Sequence, residues 1–294
     1  MTRLVPVLCV ACAAGIGLTA WSQLSAGTAA AVPTPVTDGA AGNATPATSP
    51  ARAEPELAAE LRKARRQCSM PALDAVVTRL EQAAASDGDS SATWHLLAEA
   101  YLERAQQRTH LRGIAVGEPV FAELPAEQTA DLEAGLAAVA KARALGEDSG
   151  SLFRIEAGLM SQHITGLATA LTWNGKIGKA LAAAVERTAD DAKVHVALGL
   201  RKLLAPRWFG HDPEAALKHF EFAAETDDDE RAAVFAGMAS YLQQKRQQAI
   251  AWLERAVEKN PDNRFARVVL RRLRRGEEDP FGRDVSEAEV AAAK

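Results

Sequence analysis

From residue 56 onward, apolar side chains recur with helical spacing. Leu57, Leu61, Ala64 and Cys68 stand at i, i+4, i+7 and i+11, which lines one face of a helix with 3.6 residues per turn. After a break at Met70-Pro71, Leu73, Val76, Val77, Leu80, Ala83 and Ala84 form a second stripe, closed by Gly88. The pattern predicts a pair of helices of about four turns each. Ser90 and Ser91 offer N-cap oxygens for the next helix, whose periodic positions are Trp94, Leu97, Ala98 and Tyr101. Further stripes run through Leu152, Ile155 and Leu159, through Leu167, Leu171, Ile177 and Leu181, and through Phe265, Val268, Val269 and Leu273.

The ends of the chain depart from this pattern. Behind Arg3, Leu4 to Trp21 is apolar or small throughout, and Ala29-Ala30-Ala31 offers a small-residue cleavage site. Residues 1–31 therefore read as a signal peptide, or as an N-terminal anchor if uncleaved, since the apolar run touches the lower limit of a membrane span. No lipobox precedes Cys9 or Cys12. Residues 32–55, with their prolines among Ala, Thr, Gly and Ser, are expected to be a disordered linker. Residues 56–275 form the helical domain, and 276–294 an acidic, loosely ordered tail. The expected location is exported, either periplasmic or membrane-anchored and facing the periplasm. Of the three cysteines only Cys68 lies beyond the export segment, which leaves no disulfide framework.

Composition sharpens the fold class. Apolar residues make up 48% of the chain, much of that alanine, and aromatics only 5%. Such a chain suits helices packed closely through small side chains, not a β-sandwich or barrel. A large aromatic at Trp94, Leu97 at +3, Ala98 at +4 and Tyr101 at +7 resembles the first helix of a tetratricopeptide repeat. Ala64 stands one such period, about 34 residues, before Ala98. Ala249, Leu253, Ala256 and Pro261 match the second helix fully, and Gly237 supplies the small residue of its partner helix. Ala216, Phe220 and Ala223 fit the same pattern, with Asp228 in place of the proline. Gly135, Val139 and Ala142 fit more loosely, and Val76, Leu80 and Ala83 fit with Gly88 in the stop position. The resemblance implies an all-α, right-handed superhelix of antiparallel helix pairs, in which each pair buries its face on its neighbours. Two insertions interrupt it, at 109–125 and at 204–210. The second, Ala205-Pro206-Arg207-Trp208-Phe209-Gly210 before Asp212-Pro213, is similar to exported bacterial repeat proteins such as the T component of TRAP transporters, with His211 in place of a second glycine.

Charge and motifs limit the function. Thirty-four Lys and Arg against 38 Asp and Glu give −4, with no global basic charge to hold nucleic acid. No phosphate loop, nucleophile elbow or zinc-binding helix motif occurs. His211, Asp212 and His219 are the closest trio of potential ligands, and Asp212 is better explained as an N-cap before Pro213. Asp227 to Glu230 read as a solvated acidic turn before the next helix. Glu156, Asp190 and Asp191 have no spacing that suggests catalysis. The basic helix around Arg264, Arg267, Arg271, Arg274 and Arg275 reads as a terminal cap with a solvated face. These readings point to a non-catalytic scaffold with neither metal nor cofactor. It binds a protein segment or small ligand in the concave groove of its repeats, and both tethering through its N-terminus and an oligomeric state are open to it. The alternative is an accessory ligand carrier of a TRAP-type transporter. The candidate contact residues are Trp173, Asn174, Arg207, Trp208, Phe209 and His211. Of Trp208 and Phe209, one is expected to wedge beneath the next helix pair and the other to face the groove with Trp173.

Overall fold

A computed structural model of the chain describes residues 50–114, 116 and 123–293. The expected signal peptide or anchor at 1–31, the expected linker up to residue 49 and part of the first insertion lie outside them. The described residues form twelve α-helices and one 3-10 turn, with no strand. Five hairpins come first: α1 (Pro50–Arg66) with α2 (Met70–Ser86), α3 (Ser91–Arg108) with α4 (Ala126–Ala144), α5 (Gly150–Gln162) with α6 (Leu167–Arg187), α7 (Ala192–Leu204) with α8 (Pro213–Thr226), and α9 (Glu230–Leu242) with α10 (Arg246–Lys259). Then α11 (Arg264–Arg275) and the short α12 (Glu287–Ala292) close the array. The chain enters these helices through side-chain caps. Ser69, Ser90, Ser149, Asp191, Asp212, Asp229, Asn263 and Ser286 each accept a backbone N–H of the first turn, which satisfies donors the helix leaves free.

Each helix packs on the next in sequence, and α1, α3, α5, α7 and α9 also pack successively on one another. That second set of contacts makes a stack of hairpins into a superhelix with the odd-numbered helices on its inner side. Small residues set the spacing. Ala98 is fully buried, and a Cβ on Gly199 would lie 2.5 Å from the Phe220 ring. Two main apolar cores result. One joins α1 to α5 around Leu73, Leu80, Leu132 and Ile155. The other joins α7 to α12 around Phe220, Met238, Leu253 and Leu273. A smaller cluster of Met160, Ile177 and Leu181 bridges them through α5 and α6.

Three local features differ from the expectation. Helix α1 starts at Pro50, inside the segment assigned to the linker. Cys68 lies just past α1, in a turn with φ 47°, although it is buried like the stripe it extends in the sequence. Burial, with Glu230 adding to it, pushes its thiol up to about 11, which makes it an inert group. Residues 276–293 are packed, not loose. The side chain of Arg272, 2% exposed, donates to the carbonyls of Pro280 (3.1 Å), Arg283 (2.9 Å) and Asp284 (2.8 Å) and to Glu289 (2.9 Å). Phe281, Val285 and Val290 are buried over α11. The first insertion meets this tail: Ile114 N donates to Phe281 O at 2.9 Å, and Leu111 O accepts from Val285 N at 2.7 Å. The tail is held by single anchors without periodicity, which leave no stripe in the sequence.

Candidate functional site

The superhelix curls until its first hairpin reaches its last. Arg65 Nη1 in α1 donates to Asp229 Oδ2, just before α9, at 2.7 Å. Asn260 Nδ2 donates to Arg66 O at 3.0 Å. The inner face is therefore a narrow polar seam between the two apolar cores.

Its centre is Arg231, on the first turn of α9. Nη1 donates to Glu103 Oε2 at 3.0 Å and to Gln106 Oε1 at 2.9 Å, and Nη2 to Glu103 Oε1 and Asp229 Oδ2, both at 3.0 Å. The Glu103 and Asp229 side chains are 6% and 9% exposed. Burial alone would raise the Asp229 carboxyl, but the Arg231 and Arg65 guanidiniums hold it far below the carboxylate range. A second cluster lies alongside. Glu99 in α3 accepts from Arg154 of α5 at 3.1 Å and from Lys193 of α7 at 2.8 Å. Burial opposes its charge, yet those two cations bring its pKa to about 2. A cleft of about 60 Å³ opens over this surface, lined by Ala58, Leu61, Arg62, Arg65, Leu96 and Lys193 together with Glu99 and Glu103. Arg62 is exposed and Lys193 is 38% exposed.

The structure separates the residues singled out from the sequence. Trp173 sits on α6, stacked on His163 with ring centroids 5.2 Å apart, and Lys176 Nζ lies 4.7 Å above its ring. Asn174 is half-buried beside it. Arg207, Trp208 and Phe209 form the 3-10 turn between α7 and α8. His211 Nδ1 is 2.8 Å from Leu203 O and serves the turn. Neither aromatic is a wedge, because Trp208 is 65% exposed and Phe209 48%. They contact each other edge to face, and neither lines the cleft on the inner face. The trio near them disperses. Asp212 caps α8 through Ala215 N at 2.9 Å, as expected, and His219 faces His195. Asp229 and Glu230, expected in a solvated turn, are buried. Glu230 accepts from Asn260 at 2.9 Å. Glu156 pairs with Arg143, and Asp191 caps α7.

The charged residues of the seam are absent from the sequence-based candidates, although they carry a positional signal. Arg65 follows Ala64, and Glu99 and Glu103 stand one and five places after Ala98. Lys193 and Arg231 stand six places before Gly199 and Gly237. The small residue faces the partner helix, so these offsets select the inner face.

No family model and no curated protein matches the sequence. Solved structures do match. A thermophilic TPR protein of Thermus thermophilus superposes with a TM-score of 0.53 at 14% identity, over 76% of this chain and 96% of that one. The APC/C hetero-tetramer Cut9–Hcn1 gives a TM-score of 0.51 at 9% identity, over 82% of this chain and 42% of that one. The fold is that of the tetratricopeptide-repeat proteins. A repeat array of this kind is a helical scaffold suited to protein binding. Among the described residues no group of three metal-ligating side chains converges, and no helix is long and apolar enough to cross a membrane.

Proposed function

We propose that the chain is an exported, non-catalytic scaffold whose inner face holds a segment of another protein bearing an acidic side chain. The observation that carries this reading is the cleft over α1, α3 and α7. Glu99 and Glu103 are already engaged there by Arg154, Lys193 and Arg231. Arg62 lines the same cleft with no carboxylate partner among the described residues. An incoming carboxylate meets Arg62 and the exposed flank of Lys193. Export rests on the apolar run Leu4–Trp21 behind Arg3. The alternative, a TRAP-type carrier, wants a closed cavity of about 300 Å³ or more for its solute; the clefts on α11–α12 and on the inner face, about 190 and 60 Å³, are both smaller.

A photo-crosslinking residue at Arg62 in the full chain, expressed in an exporting host, tests this. It should give a discrete adduct that Lys193→Glu removes, whereas a crosslinker at Lys141 on the outer helix α4 should not. Equal adducts from both positions, or none from Arg62, refute the reading.

A further inference from the structure

Of the six large apolar side chains exposed among the described residues, all but Leu242 lie on α6, at the end of α7 or in the 3-10 turn that follows it. Leu167 and Leu171, 48% and 70% exposed, lie on the first turns of α6. Leu204, 41% exposed, ends α7, and Trp208 and Phe209 follow it directly. Helices α6 and α7 form an antiparallel pair across the short link at 188–191, and the Arg201 guanidinium lies against Gly178 of α6. Gly178 continues the stripe of Leu167, Leu171 and Asn174 at i+4, i+7 and i+11. From that contact, both helices run toward the same rim, α6 backward to Leu171 and α7 forward to Leu204 and the 3-10 turn.

The turn that carries the aromatics is rigid. Pro206 O accepts from Phe209 N at 2.8 Å, and Lys202 O accepts from Asp212 N at 3.0 Å. Gly210 takes the left-handed conformation, φ 99°, that lets the chain reverse without strain. With His211 on Leu203 O, the turn holds Trp208 and Phe209 outward. Exposed aromatics on a fixed turn cost solvation that nothing within the fold recovers.

The segments that carry them are basic, and the first exposed acid beyond the turn, Glu214, is paired with Lys218. Lys176, Lys179, Arg201, Lys202 and Arg207 are all exposed, and none has a carboxylate partner among the described residues. Residues 163–185 and 192–211 contain no Asp or Glu. The nearest acid in sequence, Asp212, is committed to its helix cap. A second copy of this chain makes a poor occupant, because a two-fold contact would set the same cations against each other.

We propose that this rim docks on an anionic lipid bilayer. Trp208, Phe209, Leu171 and Leu167 would enter the interfacial zone, and the surrounding lysines and arginines would sit at the headgroups. Trp suits that depth because its ring is apolar and its N–H polar. The inference stands independently of what the inner face binds.

The test uses the full chain and quenching by lipids with brominated acyl chains. The signal is the quenching of wild type minus that of Trp208→Phe, which removes the contribution of every other tryptophan, Trp21 included. Trp208-specific quenching is expected on phosphatidylcholine vesicles containing phosphatidylglycerol and not on phosphatidylcholine alone. Each of Lys202→Glu and Arg207→Glu should lower partitioning at least about fivefold, the effect of one cation near an anionic surface. Leu171→Asp, remote from the turn, should also reduce it, with unchanged circular dichroism. The proposal is overturned if Trp208 stays open to an aqueous quencher on anionic vesicles, or if quenching is equal on neutral and anionic ones. It is also overturned if Trp208 is protected without lipid while the sedimenting mass doubles, which would assign the rim to a second copy.

Discussion

Replacing Arg231 by Met tests the account of the inner seam most directly. The substitution keeps the length and apolar stem of the side chain and removes only the guanidinium. Asp229 retains Arg65 at 2.7 Å and the N–H of residue 231 at 2.9 Å. Glu103 has no such reserve, since both of its oxygens accept from Arg231 and from no other side chain among the described residues. At 6% exposure it would be left as a buried, uncompensated carboxylate, a defect that costs ~3–5 kcal/mol in comparable pairs. The Arg231 side chain is itself 26% exposed, so water reaches the vacated site and the lower end, about 3 kcal/mol, is expected. In a domain of this size that lowers Tm by roughly 6–12 °C. Urea titration followed by circular dichroism should show the same loss.

The reasoning also fixes what should repair the defect. Glu103→Gln in the Arg231→Met background removes the orphan charge and should recover at least half of the lost stability. In the wild-type background the same change should destabilise, because it weakens the pairing with Arg231. An Arg231→Met protein within about 1 kcal/mol of wild type, or a double variant no better than the single, would refute the assignment of Glu103 as a buried dependent of Arg231.

Acid should weaken the fold through the same face. Glu99 titrates near 2 in the folded chain and near ~4.3 when unfolded; the difference stabilises on the order of 3 kcal/mol above about pH 5 and is lost as pH falls from ~4 to ~2. Asp229 acts in the same direction, and Glu99→Gln should flatten stability across that window; an unchanged acid profile counts against the role given to Glu99. Two glycines should respond oppositely to alanine. Gly199→Ala drives a Cβ to 2.5 Å from the fully buried Phe220 ring and should cost ~1–3 kcal/mol. Gly175→Ala, with nothing within 4 Å of its new Cβ, should gain ~0.5–1 kcal/mol; thermal melts showing the two alike would contradict the packing described.

How far the sequence can be read follows from the range of each interaction. Ala64, Ala98, Gly237, Ala249 and Leu253 announce the repeat because helix–helix spacing is decided by neighbours within one hairpin, and those neighbours recur at fixed offsets. The caps Ser90, Asp191 and Asp212 are legible for the same reason. The seam is different. Arg231 and Glu103 lie 128 residues apart, and their meeting depends on the curvature summed over four hairpins. Offsets from the small residues place both on the inner face, yet no offset states which charge meets which. Asp229 and Glu230 read as a solvated turn because acids in a loop usually are, and curvature buries them against Arg65 and Asn260. Trp208 and Phe209 mislead in the opposite sense. Large aromatics are usually core, but here Pro206, Gly210 and His211 fix a turn that leaves both outside. An apolar side chain that local geometry holds in water is not accounted for by the fold's own stability. That is why the rim is read as a surface for a partner, while the more numerous aromatics inside the cores are not.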